Sequence, residues 1–122
     1  MKKVLIPEDN DMNFYLFTEM LNEFDIELIQ VKNGLQAVEY CDKYSDVCLI
    51  LMDINMPVMG GEEAAVIIKQ RHPEIPIISQ TAYSVYGAVS EKNKSCFAQF
   101  IEKPINIEGL KAIIRKYCFD EK

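Results

Sequence analysis

Short apolar runs alternate with segments of helical periodicity along this chain, and most of the runs end on a polar or charged residue. Val4-Leu5-Ile6 predicts a first strand, Ile26 to Val31 a second and Val47 to Met52 a third. Ile75 to Ser79 and Gln99 to Ile101 predict two more. Between the first two runs, Leu16, Phe17, Met20, Leu21 and Phe24 recur at i, i+1, i+4, i+5 spacing and predict the inner face of a helix. Asn10 or Asp11 can cap that helix by accepting a backbone N–H. Asn33-Gly34 turns the chain into a second helix with Leu35, Val38 and Cys41 inward. A third helix is expected from near Gly61 to just before Pro73. The stretch Ser84 to Ser95 carries a weaker helical pattern, with Gly87 inside it and the polar run Ser90-Glu91-Lys92-Asn93-Lys94-Ser95 at its end. Asn106 can cap a last helix that turns Ile107, Leu110, Ile113, Ile114 and Tyr117 inward.

Strict alternation of strand and helix is the pattern of repeated βα units. Right-handed crossovers then place helices on both faces of one parallel sheet. Val47 to Met52 is nearly all apolar, as a strand buried on both faces should be. The expected fold is therefore α/β: a doubly wound, five-stranded parallel sheet with five helices in three α/β/α layers. Residues 1–122 are expected to form a single domain, in line with the length.

Composition narrows the function. With 49% hydrophobic residues, the chain can bury a core without disulfides or a structural metal. The net charge of −6 argues against direct binding of nucleic acid, which needs clustered Lys and Arg. No apolar stretch reaches the roughly 20 residues that cross a bilayer, so membrane insertion is not expected. The N-terminus has no signal-type apolar region, which favours a cytoplasmic reading. Cys41, Cys48, Cys96 and Cys118 form no C-x-x-C pair, and one His cannot complete a zinc site. All four are expected to be reduced and structural.

The chemistry lies where the strands end, since open α/β folds bind ligands at that rim. Glu8-Asp9 follows the first strand, Asp53 ends the third, Thr81 follows the fourth and Lys103 follows the fifth. Three close carboxylates repel one another unless a cation joins them. Mg²⁺ takes oxygen ligands and is typically held by one or two carboxylates. A carboxylate can also accept a phosphoryl group as an acyl phosphate. The charge on the transferring oxygens can then be met by the Lys103 ammonium and the Thr81 hydroxyl. Each residue alone has an ordinary reading. An Asp after a strand commonly caps a helix, and Glu8-Asp9 can serve a helix dipole. Thr81 can form a turn and Lys103 can be solvated before Pro104. The conjunction at four strand ends carries the argument.

The stretches Val4-Leu5-Ile6-Pro7-Glu8-Asp9-Asn10, Leu51-Met52-Asp53-Ile54-Asn55-Met56-Pro57, Gln80-Thr81-Ala82 and Glu102-Lys103-Pro104-Ile105 resemble the receiver domains of two-component response regulators. The resemblance covers essentially the whole chain. Glu8-Asp9-Asn10 with Ser79 to Tyr83 is most similar to receivers attached to hybrid sensor histidine kinases, which work in the cytoplasm or on the cytoplasmic side of the membrane. It implies a flavodoxin-like strand order 2-1-3-4-5. It implies that Asp53 accepts a phosphoryl group from a phosphohistidine on a histidine kinase or histidine phosphotransfer domain. Asp9 and Asp53 would bind Mg²⁺ directly, Glu8 through water and Asn55 through its backbone carbonyl. Lys103 would pair with the acceptor, Thr81 would move toward the phosphoryl group and Phe100 would follow inward, switching the face formed by the fourth helix, fifth strand and last helix. Asn55 and Tyr83 would tune the lifetime of the phosphorylated state, with the Tyr83 ring screening the path of attacking water. Phe14, Tyr15, Pro104 and Ile105 would border a docking patch for a histidine-bearing helical bundle.

The implied role is a signalling switch, monomeric or weakly dimeric, rather than a turnover enzyme. Pro7 departs from the family pattern at the end of the first strand, and proline is disfavoured inside central strands. A phosphorylation-independent interaction module is the alternative on the same fold. A Mg²⁺-dependent phosphohydrolase is disfavoured, because Asp53-Ile54-Asn55 lacks the second acid such an enzyme would use.

Overall fold

The computed structural model describes residues 1–81 and 89–120. Five strands form one parallel sheet: β1 (Lys2–Pro7), β2 (Ile26–Val31), β3 (Val47–Asp53), β4 (Ile77–Thr81) and β5 (Gln99–Glu102). Their order is β2-β1-β3-β4-β5, the flavodoxin-like order that the family resemblance implied. The α-helices among the described residues are α1 (Asp11–Met20), α2 (Gly34–Lys43), α3 (Gly61–Arg71) and α4 (Ile107–Cys118). Of the helix expected over 84–95, the part up to 88 lies outside the described residues. Glu91–Cys96 is a 3₁₀ helix instead of an α-helix.

The sheet separates two apolar layers. Ala37, Val38, Cys41, Ile50, Ile68, Ile77 and Phe97 pack on the face covered by α2, α3 and the 3₁₀ helix. Phe17, Leu21, Leu49, Leu51, Leu110 and Ile114 pack on the face covered by α1 and α4. Leu49, Ile50, Leu51 and Met52 are all fully buried, so β3 is the central strand its apolar run predicts.

Three expected inward residues are exposed: Leu16 on α1, Leu35 on α2 and Ile107 on α4. Leu35 and Ile107 sit in the first turns of their helices, one residue after the buried Gly34 of α2 and three before the buried Leu110 of α4. In α2 the inward residues are Gly34, Ala37, Val38 and Cys41, small at the start because that end abuts a backbone carbonyl. Gly34 N–H donates to the Met59 carbonyl at 2.8 Å, and a Cβ at 34 would lie 2.5 Å from that oxygen. Strand β4 begins two residues later than predicted, immediately after Pro76, which has no N–H to give a ladder. Ile75 is buried in the connection before it.

Asn10, not Asp11, caps α1, accepting from the Asn13 N–H at 2.9 Å. Asp11 instead accepts from Gln30 at 3.0 Å and pairs with Lys32. Asn33 and Asn106 cap α2 and α4 in the same way. Pro7 is tolerated at its place in the ladder. Pairing of β1 with β3 ends at Leu5, so no donor is needed at 7 on that side. Pairing with β2 runs on through Pro7, and the Glu8 N–H donates to the Val31 carbonyl at 2.9 Å.

Candidate metal and acceptor site

Adjacent strands β1 and β3 deliver the acids. Glu8 follows the end of β1 and Asp53 ends β3, and both are buried, while Asp9 between β1 and α1 is exposed. One oxygen from each of Glu8, Asp9 and Asp53 lies within 4.8 Å of the others. Asn10 N–H donates to Glu8 Oε2 at 3.2 Å, but the buried Glu8 Oε1 has no hydrogen-bond partner. Asp53 Oδ1 accepts from the Asn55 N–H at 3.3 Å. Lys103, just beyond β5, places its ammonium 3.6 Å from Asp53 Oδ1 and 3.9 Å from Glu8 Oε1. The Lys103–Pro104 peptide bond is cis.

Burial pushes the Glu8 carboxyl above its usual range, and the charge of Asp53 adds to the rise. Burial likewise pushes Asp53 up, against the opposing pull of Lys103. Two buried carboxyls pushed upward, an unpaired buried oxygen and a third acid at hand suit a hard divalent cation. One ammonium at 3.6–3.9 Å leaves that demand open.

The loop after β3 is held close to the acceptor. Gly61 N–H donates to the Ile54 carbonyl at 3.0 Å, and a Cβ at 61 would lie 2.2 Å from the Asp53 carbonyl oxygen. Only glycine fits there. Met59 N–H donates to the Pro57 carbonyl at 2.7 Å around Val58, whose φ is 66°. This is a γ-turn with a β-branched residue at positive φ, a strained arrangement.

The other expected site residues fall as follows. Thr81 ends β4, opposite Glu102 of β5. Tyr83 lies outside the described residues. Asn55 is exposed beside Asp53. Phe100 on β5 is half-buried, its ring centroid 5.5 Å from that of Phe97. Pro104 and Ile105 line a cavity of about 250 Å³ together with Leu16, Phe17, Met20 and Gln80. Phe14 and Tyr15 do not line it. Phe14 packs against the core beneath α1, whereas Tyr15 is exposed and donates to Glu19 at 2.6 Å.

Sequence reading missed Leu16 and Met20 as groove residues, having assigned both to the core. It also missed Gln80, which is fully buried, donates to the Leu51 carbonyl at 3.0 Å and leaves its Oε1 unpaired. The sequence signal was faint, because Gln80 stands between Ser79 and Thr81 in the polar half of β4.

A model of the response regulator receiver domain matches residues 4–115. The chain belongs to the response regulator receiver family. Among curated relatives, the polar-differentiation response regulator DivK of Brucella anthropi is 32% identical over 123 residues, covering 98% of each chain. The receiver domain of sensor histidine kinase PA1611 from Pseudomonas aeruginosa, solved with a magnesium ion coordinated in its active site cleft, is 27% identical. Its TM-score is 0.82, over 95% of this chain and 96% of that one. The receiver domain of Ssk1 from Saccharomyces cerevisiae, co-crystallised with the histidine phosphotransfer protein Ypd1, is 26% identical with a TM-score of 0.78. That match covers 98% of this chain and 90% of the other. The protein is thus a receiver of two-component signalling. No helix among its described residues is long and apolar enough to cross a membrane.

Proposed function

We propose that this receiver takes a phosphoryl group onto Asp53 from a phosphohistidine of a histidine kinase or histidine phosphotransfer domain. One observation carries the reading: oxygens of Glu8, Asp9 and Asp53 within 4.8 Å of one another, with the Lys103 ammonium 3.6 Å from Asp53. An Asp53 oxygen bonds to phosphorus as the histidine N–P bond breaks. The released electron pair stays on the imidazole, which takes up a proton. Lys103 balances the charge spread over the phosphoryl oxygens, and Thr81 supplies a hydroxyl donor. Asp9, Asp53 and the Asn55 carbonyl would hold Mg²⁺ directly and Glu8 through water, and the buried Glu8 Oε1, which has no hydrogen-bond partner, supports that assignment. When bound, Mg²⁺ supplies positive charge against the clustered carboxylates and the phosphoryl oxygens.

Thr81 and Phe100 relay the new charge to the face formed by the 3₁₀ segment, β5 and α4. Asn55 and Tyr83 set how fast water removes the phosphoryl group. The donor docks as a helical bundle over the groove between α1 and Pro104–Ile105, which Phe14 and Tyr15 do not line. The Ssk1–Ypd1 complex supports this class of partner. Residues 1–122 act as one receiver domain, a cytoplasmic switch that is monomeric or weakly dimeric.

Intact mass after incubation with acetyl phosphate tests the reading, with and without Mg²⁺ and with Asp53→Asn in parallel. The expected result is one phosphoryl adduct that needs both Mg²⁺ and Asp53. An adduct that persists in Asp53→Asn would overturn the acceptor assignment. Absence of both adduct and Mg²⁺ binding would leave the phosphorylation-independent interaction module.

A further inference from the structure

We propose that Cys48 and Cys118 form a reversible intramolecular disulfide that ties the C-terminal end of α4 to β3. The inference does not depend on the phosphoacceptor reading. The two sulfurs lie 2.7 Å apart, and both thiols are free. An S–S bond spans about 2.05 Å, so a small side-chain adjustment joins them.

The strand geometry aims Cys48 at this partner. Lys3 of β1 pairs with Val47 and Val4 with Leu49, leaving Cys48 as an extra residue in β3. Such a bulge breaks the usual alternation of side chains. Cys48 and Leu49 accordingly both pack on the α1–α4 face, where Cys118 closes α4. Cys41 and Cys96 pack on the opposite face, so the sheet keeps them away from this pair.

The pair is also chemically asymmetric. Cys48 is half-buried and Cys118 is buried, so an oxidant in solvent meets Cys48 first. The contact between the two sulfurs, in which either can be the donor, holds the Cys48 thiol below its usual range. Burial pushes the Cys41 thiol up to about 12, which leaves it inert.

With hydrogen peroxide as oxidant, the Cys48 thiolate attacks one oxygen and the O–O bond breaks. Cys48 becomes a sulfenic acid, and the released hydroxide takes a proton and leaves as water. The Cys118 sulfur then bonds to Cys48 and displaces the sulfenic hydroxyl as a second water. Two thiols lose two protons and two electrons, and the peroxide gains them. A thiol reductant reverses the bond.

The test is peroxide treatment of the whole chain, followed by thiol counting, intact mass and peptide mapping. We expect titratable thiols to fall from four to two, the mass to fall by two hydrogens, and a single Cys48–Cys118 linked peptide. A bridge across some 70 residues should raise the thermal midpoint by roughly 10 °C, and dithiothreitol should restore the original value. Cys118→Ser should trap Cys48 as a sulfenic acid that a dimedone probe captures. Cys41→Ser with Cys96→Ser should leave the bridge intact. Four titratable thiols after treatment, a bridge to Cys41 or Cys96, or a bridge between two chains would each overturn the proposal. The wild-type thiol count and peptide map decide the matter even if a serine variant fails to fold.

Discussion

Acids at the site rim and acids elsewhere on the molecule are treated in opposite ways. Asp42 is held below its usual range by His72 and Arg71, Asp46 by Lys3, and Glu23 by Lys111. Each is partly exposed and in direct contact with its base, at 2.6–3.0 Å. Glu8 and Asp53 are buried, stand 3.6–3.9 Å from one shared ammonium, and are pushed upward. Close basic partners are therefore given to other acids, whereas the two buried rim acids share one ammonium at longer range. A fold that leaves its two most buried acids under-compensated has room there for a ligand that brings positive charge.

The largest break in that contrast comes from the loop that backs the acceptor. Gly61→Ala would drive a methyl group into the Asp53 carbonyl, where only backbone can yield. Urea unfolding should show a loss of about 3 kcal/mol, with weakened Mg²⁺ binding by isothermal titration. If stability holds and Mg²⁺ still binds, the loop is looser than its contacts indicate. Asp53→Asn should act the other way. It removes a buried charge that Asp9 and Glu8 repel, and should raise metal-free stability by about 1 kcal/mol. Mg²⁺ at ten times its Kd should stabilise the wild type by about 1.4 kcal/mol, and this gain should shrink in the variant. Val58→Gly should also stabilise, by about 1 kcal/mol, because glycine takes the positive φ of the γ-turn without the clash of a branched side chain.

The rim was legible in sequence because its signals are local. Apolar runs gave every strand, and polar residues after the runs gave Glu8, Asp9, Asp53, Thr81 and Lys103 at one edge of the sheet. What was not legible depends on approach in space. Leu16 reads as a core residue from spacing alone, yet it borders an open groove. The need for glycine at 34 and 61 comes from carbonyls of Met59 and Asp53 that only the folded chain brings near. Cys48 and Cys118 stand 70 residues apart and meet only because β3 carries an extra residue. Proline at 7 looked disruptive because the sequence does not reveal where the β1–β3 ladder ends.

The pH dependence sharpens the contrast without any metal. A carboxyl whose folded pKa is raised costs stability wherever the unfolded chain is ionised, in full above the folded pKa and not at all well below the unfolded one. Relative to Asp53→Asn, the wild type should therefore be least stable near pH 7. Its deficit should shrink as pH falls through the raised folded pKa and vanish below the usual value of about 3.9, where both states are protonated. Chemical denaturation of both proteins from pH 7 to pH 4 in chelator measures this. A deficit that grows on acidification would mean that Lys103 outweighs burial at Asp53.

The smallest effect tests the other half of the contrast. Asp46 pairs with Lys3 at 3.0 Å, but the carboxylate is more than half exposed. Water screens such a pair, and ordering two side chains offsets most of its attraction. Asp46→Asn should leave the urea midpoint at neutral pH within error of the wild type. Its folded pKa is depressed, so whatever it contributes is present at neutral pH and fades as pH falls through that depressed value. The sign is opposite to that of Asp53, and the paired acid titrates lower than the buried one. A loss at Asp46 as large as the gain at Asp53 would mean that the two classes of acid differ in partners but not in energetic weight. The rim would then lose its claim to be built differently from the rest of the surface.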